Sequence, residues 1–498
     1  MNGRGEPVEV DTIIVGSGFG GLGMGIRLAR ESERSFLILE RAGDVGGTWR
    51  DNVYPGVSCD IPSHLYSFSF RPSSDWARFY ASGAEIHRYL KDAAREEGLL
   101  PRMRFGTDVL EMRWQDESAR WDLETTTGRY RCRVLVVAAG RLSEPRIPAI
   151  PGLEGFTGPV FHSSAWDDNV DLAGKRVGVV GTGASAIQIV PSIAGVAGSV
   201  VLFQRTPAYV VPRADRRYTE AERRYLARVP GAVERLRSQI FWDAEAGFAR
   251  RIGVPSAVAE FRDAALGHLA AQVADPELRA RLTPGYEVGC KRVLLSDDFY
   301  PALASGVVEL EPSALAAVDG SVATAASGVA HALDVLVLAT GFHTTRPPFA
   351  SRVFGRDGLT LSERWSDGMV AHASTTVAGF PNLFVIDGPN ASLGHNSAVH
   401  MIETQIGFVL GALDHLDILG ADVLEVSREA EDAYVRELDR RSAATVWLNG
   451  GCSSWYVDDR SHRLTLLWPD FAFAFRAEVG TFDPDGYRFS SAPVLSAI

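Results

Sequence analysis

The feature that most constrains this chain is a glycine-rich loop between a short apolar segment and a helical pattern. Residues 11–15 are apolar enough for a strand, and the loop follows as Gly16-Ser17-Gly18-Phe19-Gly20-Gly21. Strand, GxGxxG loop and helix in this order are typical of a dinucleotide-binding fold. There, Gly16 permits the tight turn, Gly18 lets backbone approach a pyrophosphate, and Gly21 lets the helix pack on the strand.

An acidic residue follows the next predicted strand, residues 36–39, at Glu40. An acid at this place hydrogen-bonds a ribose hydroxyl, and the helix N-terminus offers free N–H groups to the phosphates. This favours an adenosine without a phosphate on the ribose, as in FAD. Phe19 and Arg41 are predicted to contact the same cofactor.

The pattern recurs in the second quarter of the chain. Residues 175–180 lead into Gly181-Thr182-Gly183-Ala184-Ser185-Ala186, and after the next strand the acid position holds Gln204-Arg205-Thr206. An arginine there removes repulsion toward a ribose phosphate and supplies a bidentate donor, which predicts NADP. The alternative for Arg205 is a solvated surface charge. The predicted NADP contacts are Gly181, Gly183, Ala184, Ser185, Arg205 and Thr206.

Residues 46–60 have the pattern of neither a helix nor a regular strand. They combine paired glycines, an indole, a Tyr-Pro-Gly turn and a terminal acid. Such backbone suits a flat ligand, with Asp60 delivered to its reactive edge, although an Asp after a Pro-Gly turn is also a common turn cap. The predicted flavin-side contacts are Gly47, Thr48, Trp49, Tyr54, Asp60 and, further along, Tyr66.

The predicted fold class is α/β, with two Rossmann-like dinucleotide-binding domains, one for FAD and one for NADP, and a helical insertion. Capping boxes begin at Ser82 and Thr219, and strand patterns disappear between residues 219 and 282. This predicts an all-helical insertion that walls the substrate cavity. The predicted segments are 1–145 (FAD domain), 146–215 (NADP domain), 216–285 (insertion), 286–375 (NADP domain) and 376–498 (FAD domain).

Composition excludes several classes of function. The net charge of −12 argues against nucleic acid and against a basic membrane-binding face, and no apolar run is long enough to cross a bilayer. The four cysteines are too dispersed for a CxxC pair or a zinc site, so no metal is expected. Reduced, buried thiols are the default for a cytosolic protein. We expect a cytoplasmic protein, monomeric or homodimeric.

At this point the sequence resembles the Baeyer–Villiger monooxygenases, a family of class B flavoprotein monooxygenases. The resemblance covers nearly the whole chain. Near the C-terminus, residues 451–456 and 466–469 are similar to the subgroup that contains 4-hydroxyacetophenone monooxygenase. The motifs that carry it are Phe156-x-Gly158-x3-His162-x3-Trp166-Asp167, Gly46-Gly47-x-Trp49 to Asp60, Asp334-x2-Val337-x-Ala339-Thr340-Gly341, and Gly388-Pro389-Asn390.

The resemblance implies an NADPH- and O2-dependent enzyme that converts a small-molecule ketone to an ester or lactone through a flavin C4a-peroxide. It assigns the catalytic cation to Arg292 and makes Asp60 its orienting partner. Lys291 would share the NADP 2′-phosphate with Arg205. Thr340, Gly341 and Asn390 would lie at the cofactors.

Alternatives stay open at this stage. Arg292 by itself is also typical of a salt bridge between domains. A monooxygenase that acts on nitrogen or sulfur would use the same two cofactors without needing that arginine. A redox-inactive FAD-binding scaffold is a third hypothesis, which the two intact glycine loops disfavour.

Overall fold

The computed structural model describes residues 6–491. The predicted domain boundaries stay a prediction, and their extreme ends, 1–5 and 492–498, lie outside the described residues. In chain order the strands are β1 Val8–Val15, β2 Phe36–Leu39, β3 Met103–Arg104, β4 Val109–Gln115, β5 Arg120–Thr125, β6 Arg129–Val137, β7 Val160–His162, β8 Arg176–Val180, β9 Ser199–Phe203, β10 Val210–Val211, β11 Leu294–Leu295, β12 Val308–Glu311, β13 Leu315–Asp319, β14 Val322–Ala325, β15 Ala330–Ala332, β16 Val335–Leu338, β17 Val353–Phe354, β18 Leu383–Val385, β19 Val423–Val426 and β20 Tyr487–Ser490.

Helices alternate with these strands, as an α/β chain requires. In chain order they are α1 Phe19–Glu31, α2 Thr48–Asp51, α3 Gly83–Glu96, α4 Ala186–Ala194, α5 Glu220–Arg228, α6 Ala232–Ala246, α7 Pro255–Gln272, α8 Pro276–Leu282, α9 Phe299–Ala304, α10 Leu361–Arg364, α11 Ala398–Ile418, α12 Arg428–Ser442, α13 Val446–Asn449 and α14 Ala472–Val479.

The larger sheet has the order β17-β4-β5-β6-β1-β2-β3, and β18 also pairs with β6. Strands β3, β2, β1, β6 and β18 are parallel, while β4, β5 and β6 form an antiparallel meander. The alternating pattern of residues 104–137 predicts a hairpin that carries Trp114 and Trp121, and in this meander the two residues lie opposite each other, which confirms it. The parallel strands carry short continuous apolar runs because helices cover both of their faces.

The second sheet is parallel throughout, with the order β12-β9-β8-β16-β7. Strand β16 is buried along its whole length, and the three middle residues of β8 are buried beside it. In both sheets the glycine loop follows a central strand, β1 or β8, at its carboxyl end. Open parallel sheets bind ligands at this edge.

The two glycine loops have the same backbone conformation at their first glycine. Gly16 and Gly181 have φ angles of +101° and +112°, which favour glycine. A Cβ on Gly16 would lie 2.6 Å from the carbonyl oxygen of Ala138, and one on Gly181 would lie 2.4 Å from that of Ala339. Each loop thus lies directly against the backbone that leaves the neighbouring strand, and no larger residue fits at either position.

The predicted helical insertion is present as α5, α6, α7 and α8. The capping boxes that were expected at Ser82 and Thr219 are confirmed. Each side chain accepts from the N3 backbone N–H, and the N3 carboxylate, of Glu85 or Glu222, accepts from the backbone N–H of Ser82 or Thr219. Within residues 6–491 the structure has no helix that is long and apolar enough to cross a membrane.

One expectation about the cysteines is wrong. Cys290 and Cys452, 162 residues apart, form a disulfide, whereas Cys59 and Cys132 are free and buried. The expectation of reduced thiols rested on the default for cytosolic proteins, whereas folding brings the two segments together at one wall of the main cavity. Spacing along a chain does not limit which cysteines can meet in space.

Candidate active site

A cavity of 1470 Å³ lies along the carboxyl ends of both sheets. Single ligands of drug size occupy about 300–1,000 Å³, so this volume suits more than one cofactor. Among the predicted site residues, the lining includes Gly16, Gly18, Phe19, Glu40, Arg41, Gly47, Thr48, Trp49, Tyr54, Asp60, Tyr66, Gly181, Gly183, Ala184, Ser185, Arg205, Thr206, Lys291, Arg292, Thr340 and Gly341.

Two of the residues predicted to contact a cofactor, Gly21 and Asn390, lie behind the residues that line the cavity. A Cβ on Gly21 would lie 1.8 Å from the Gly16 carbonyl oxygen, so Gly21 serves the packing of α1 on the loop. Asn390 is buried, and its amide donates to the carbonyls of Leu464 and Leu467 at 2.6 and 2.9 Å. Its side chain holds the C-terminal segment, and a direct cofactor contact by Asn390 stays a prediction.

Glu40 is buried at the first glycine loop. Its carboxylate accepts hydrogen bonds from the backbone N–H and the hydroxyl of Ser17, at 3.0 and 2.6 Å, and pairs with Arg50 at 3.0 Å. Arg41, the next residue, pairs with Glu144 on the rim. The acid that was predicted to bind a ribose thus also ties the loop to the 46–60 segment.

The 46–60 segment runs from the first glycine loop to the second sheet. Contrary to the expectation of wholly irregular backbone, it contains one helical turn, α2, because Gly47 begins it with a φ of +52°. Tyr54 donates to Gln188 on α4 at 3.1 Å, and Gln188 donates to the Ser58 carbonyl at 3.0 Å. These contacts fix where Asp60 emerges.

The structure brings Asp60 and Arg292 together at this point. Arg292 Nε donates to Asp60 Oδ2 at 2.7 Å, and Arg292 Nη2 lies 2.5 Å from the same oxygen. The negative charge of Asp60 raises the pKa of Arg292 above its ordinary value, so the guanidinium stays charged at every working pH. About a quarter of each side chain faces the cavity.

Aromatic side chains wall the flavin-side part of the cavity. Trp49 Nε1 donates to the Tyr66 hydroxyl at 3.2 Å, and the two rings meet edge to face at 5.5 Å. Phe19 packs edge to face against Tyr66 at 5.1 Å. This cluster gives the cavity a rigid apolar side next to the glycine loop.

Positive charge gathers at the second glycine loop. Arg205 follows β9, and Lys291 approaches it from the segment that carries Arg292. Burial, together with the charge of Arg205, lowers the pKa of Lys291. Two like charges held this close create a field that suits a phosphate. Thr340 closes this side by donating to the Arg146 carbonyl at 2.6 Å.

Several lining residues were missed by sequence reasoning. Arg141 lies four residues after the end of β6, and it pairs with Asp387 after β18; burial lowers the pKa of Arg141 to about 10. Tyr456, in the 451–456 segment that resembles the 4-hydroxyacetophenone monooxygenase subgroup, is buried in the same wall. A charged residue shortly after a parallel strand could have revealed Arg141, but its partner is 246 residues away.

The helical insertion does not wall the cavity, which corrects the expectation from sequence. Among the described lining residues none comes from 216–285. The insertion packs instead behind residues 393–397, here called the flavin-side segment, where Glu245 accepts from His395 and Asn396 at 3.0 and 2.6 Å. Arg251 donates to the Gly394 carbonyl at 2.8 Å. The apolar helical spacing marked a packing face, and it could not show what that face packs against.

Comparison with known proteins agrees with this geometry. The sequence model of the family described as "Flavin-binding monooxygenase-like" matches residues 10–226. A Baeyer–Villiger monooxygenase of Streptomyces coelicolor is 45% identical over 96% of this chain and 92% of that protein. A Baeyer–Villiger monooxygenase of Pseudomonas aeruginosa is 41% identical over 97% of this chain and 92% of that protein.

Solved structures extend the likeness to the whole fold. The cyclohexanone monooxygenase of Rhodococcus sp. Phi1, solved bound to NADP⁺, superposes with a TM-score of 0.87 at 28% identity, over 98% of this chain and 100% of that one. The similarity to the subgroup of 4-hydroxyacetophenone monooxygenase stays a prediction. By sequence and by fold, the chain belongs to the Baeyer–Villiger monooxygenases.

Proposed function

We propose that this protein is an FAD- and NADPH-dependent monooxygenase that converts a ketone to an ester or lactone. One atom of O2 is inserted between the carbonyl carbon and a neighbouring carbon. The other leaves as water, with two electrons and one proton from NADPH and one further proton from solvent. The single observation that carries the proposal is the Arg292–Asp60 pair at a cavity lined by both glycine loops.

The cavity fits the two cofactors. Both glycine loops present backbone N–H groups at a helix N-terminus, where pyrophosphates bind. Glu40 suits the unphosphorylated ribose of FAD, whereas Arg205 and Lys291 suit the ribose phosphate of NADP. When bound, FAD supplies the oxygen-activating chemistry with electrons from NADPH.

Arg292 supplies the fixed positive charge that the reaction needs. Attack on a ketone moves negative charge onto the former carbonyl oxygen, and a guanidinium that is already in place stabilises this charge without reorganisation. Asp60 orients that guanidinium. Trp49, Tyr66 and Phe19 exclude water from the adjoining wall, which strengthens the electrostatic interaction.

The first experiment tests the reaction itself. Purified protein is incubated with NADPH, O2 and a panel of cyclic, aryl and long-chain ketones, with cyclohexanone included because a structural relative is named for it. We expect mass spectrometry to detect a product with one added oxygen that requires both NADPH and O2. Absence of such a product across the panel would remove the proposal.

The second experiment tests Arg292 against oxidation at sulfur. We expect Arg292→Ala to lower ester formation by about a hundredfold or more, because the charge that develops on the ketone oxygen loses its stabilising partner. Oxidation of an aryl sulfide should continue, since that chemistry needs no such cation. Arg292→Lys is the matched control that keeps a charge but loses the planar fork. Equal loss of both activities would contradict the assigned role.

A cytoplasmic location and a monomeric or homodimeric state belong to the same proposal. The acidic net charge of −12 supports neither nucleic acid nor an anionic membrane surface as a partner. Size-exclusion chromatography with light scattering decides between the two assembly states.

A further inference from the structure

Asp60 alone does not fix the orientation of the Arg292 guanidinium. Both short contacts of the guanidinium, from Nε and from Nη2, end on the single oxygen Oδ2. A fork-to-fork pair uses two oxygens and fixes the plane of the guanidinium, whereas contact with one oxygen leaves that plane free to pivot. A second anchor is needed if the cation is to keep one orientation in the cavity.

Tyr456 is placed to be that anchor. Its side chain is 1% exposed, and its hydroxyl lies beside the Arg292 guanidinium, whose pKa it helps Asp60 to raise. Among residues 6–491 no group, Arg292 included, forms a hydrogen bond with this hydroxyl, although Tyr456 and Arg292 line the same cavity. Arg141 and Arg251 also lie within electrostatic range of it. A buried phenol oxygen that faces cationic donors is an acceptor in need of a partner.

The loop that carries Tyr456, residues 450–458, is fastened to the segment that carries Arg292. Cys452 of this 450–458 loop is joined by the disulfide to Cys290, two residues before Arg292. Glu287 N–H also donates to the Gly450 carbonyl at 2.8 Å, and a Cβ on Gly450 would lie 2.6 Å from that of Cys290. The 450–458 loop and the segment that carries Arg292 are therefore held together by a covalent bond and by backbone contacts.

We propose that Tyr456 is a positioning residue for Arg292, that its unpartnered phenol oxygen is the acceptor toward which the guanidinium turns, and that the Cys290–Cys452 disulfide keeps the two side chains within reach. The inference rests on the proposed function, because it concerns the cation that this function requires. Asp60 fixes Arg292 from the flavin side, and the 450–458 loop fixes it from the C-terminal side. Both anchors are needed for productive orientation.

The first arm of the test uses Tyr456→Phe, with Tyr434→Phe as the matched control. The Tyr434 hydroxyl contacts Ser374 outside the cavity lining, so its loss removes a hydroxyl from elsewhere in the fold. The measured quantity is the fraction of consumed NADPH that yields ester rather than hydrogen peroxide. We expect Tyr456→Phe to lower this fraction about tenfold, as for a lost hydrogen bond to a charged group.

The expected change lies in kcat rather than in KM for the ketone, because Arg292 acts on charge that develops after binding. A general loosening of the fold would change both constants and would lower the unfolding temperature. Wild-type coupling in Tyr456→Phe would overturn the proposal. If the wild type forms no ester at all, the proposed function fails instead, and the second arm still decides whether the disulfide fastens the loop.

The second arm needs no catalysis. Dithiothreitol breaks the S–S bond, supplies two electrons and two protons to give two thiols, and is itself oxidised to its cyclic disulfide. Alkylation of unfolded, unreduced protein should label two cysteines, Cys59 and Cys132, and all four after reduction. Reduction should increase hydrogen exchange in residues 286–292 and 450–458. Cys452→Ser should show this faster exchange without dithiothreitol and no further response to it.

Four labelled cysteines before reduction, or exchange that is unchanged by reduction, would overturn the role of the disulfide. Cys452 is chosen for substitution because it is only partly buried, whereas Cys290 is fully buried. If Cys452→Ser does not fold, reduction of the wild type gives the same comparison on native protein.

Discussion

Arg205 and Lys291 come from distant parts of the chain, and their side chains lie close together at the second glycine loop. Arg205 is largely exposed beside β9, while Lys291 is half-buried above the ring of Tyr286 at 5.0 Å. Burial, and after it the charge of Arg205, lowers the pKa of Lys291, so the two cations repel each other. A ribose phosphate removes that repulsion, which makes selectivity between NADPH and NADH testable at single residues.

We expect Arg205→Ala to raise KM for NADPH by about tenfold or more and to leave KM for NADH unchanged, because only NADPH carries the phosphate. Steady-state kinetics with both coenzymes measures the ratio. Arg205→Lys is the control that keeps the charge without the bidentate fork. An equal rise in KM for both coenzymes would contradict a contact with the phosphate.

At the scale of elements, the buried carboxylate of Glu245 joins the helical insertion to the flavin-side segment, beside the contact from Arg251 to the Gly394 carbonyl. Burial opposes the charge of Glu245, but hydrogen bonds from His395 and Asn396 outweigh it and lower the pKa of Glu245. The Phe473 backbone N–H donates to the same carboxylate at 3.2 Å. Helix α6, the 393–397 segment and the start of α14 thus meet at one side chain.

We expect Glu245→Ala to lower the free energy of unfolding by about 3 kcal/mol, because it leaves buried donors on His395 and Asn396 without an acceptor. Urea unfolding followed by circular dichroism measures the loss, and the fraction of free FAD in the preparation reports loosening of the flavin-side segment. Glu245→Gln keeps one acceptor oxygen, so it should lose about half as much. A midpoint for Glu245→Ala equal to that of the wild type would rule out this account.

Sequence was informative where the cause of a structure is local. The two glycine loops, the hairpin of Trp114 and Trp121, and the capping boxes at Ser82 and Thr219 each depend on a few neighbouring residues. Pairings over long distances could not be read in this way: Cys290 with Cys452, or Arg141 with Asp387. Asp60 with Arg292 was expected only through the family resemblance.

At the scale of the whole molecule, buried histidines set the response to acid. Burial lowers the pKa of both His64 and His400 from 6.5 to about 4. Between these values the unfolded chain binds protons that the folded protein does not, so stability is full above about pH 6.5 and falls as the pH drops toward 4. Each histidine accounts for about 3 kcal/mol of this loss.

We therefore expect the urea midpoint to decrease from pH 7 to pH 4.5. His64→Asn and His400→Gln should each flatten that dependence, and the exposed His343 substituted by Gln should not. Urea titrations at several pH values measure the slopes. The same steep slope in the His64→Asn/His400→Gln double variant would assign the acid response to other groups.

Gln188 forms hydrogen bonds with Tyr54 and with Ser58 of the 46–60 segment, and Ser58 lies two residues before Asp60. Arg292 lies two residues before β11, yet its orientation is set by Asp60 from the other half of the protein. The length of the 46–60 segment therefore sets the position of Asp60, and through Asp60 that of the Arg292 guanidinium. For enzyme engineering, inserting or deleting one residue within the segment displaces this guanidinium, whereas exchanging a side chain on the outer face of the segment does not. Loop grafts between relatives should keep its length fixed and vary the cavity elsewhere.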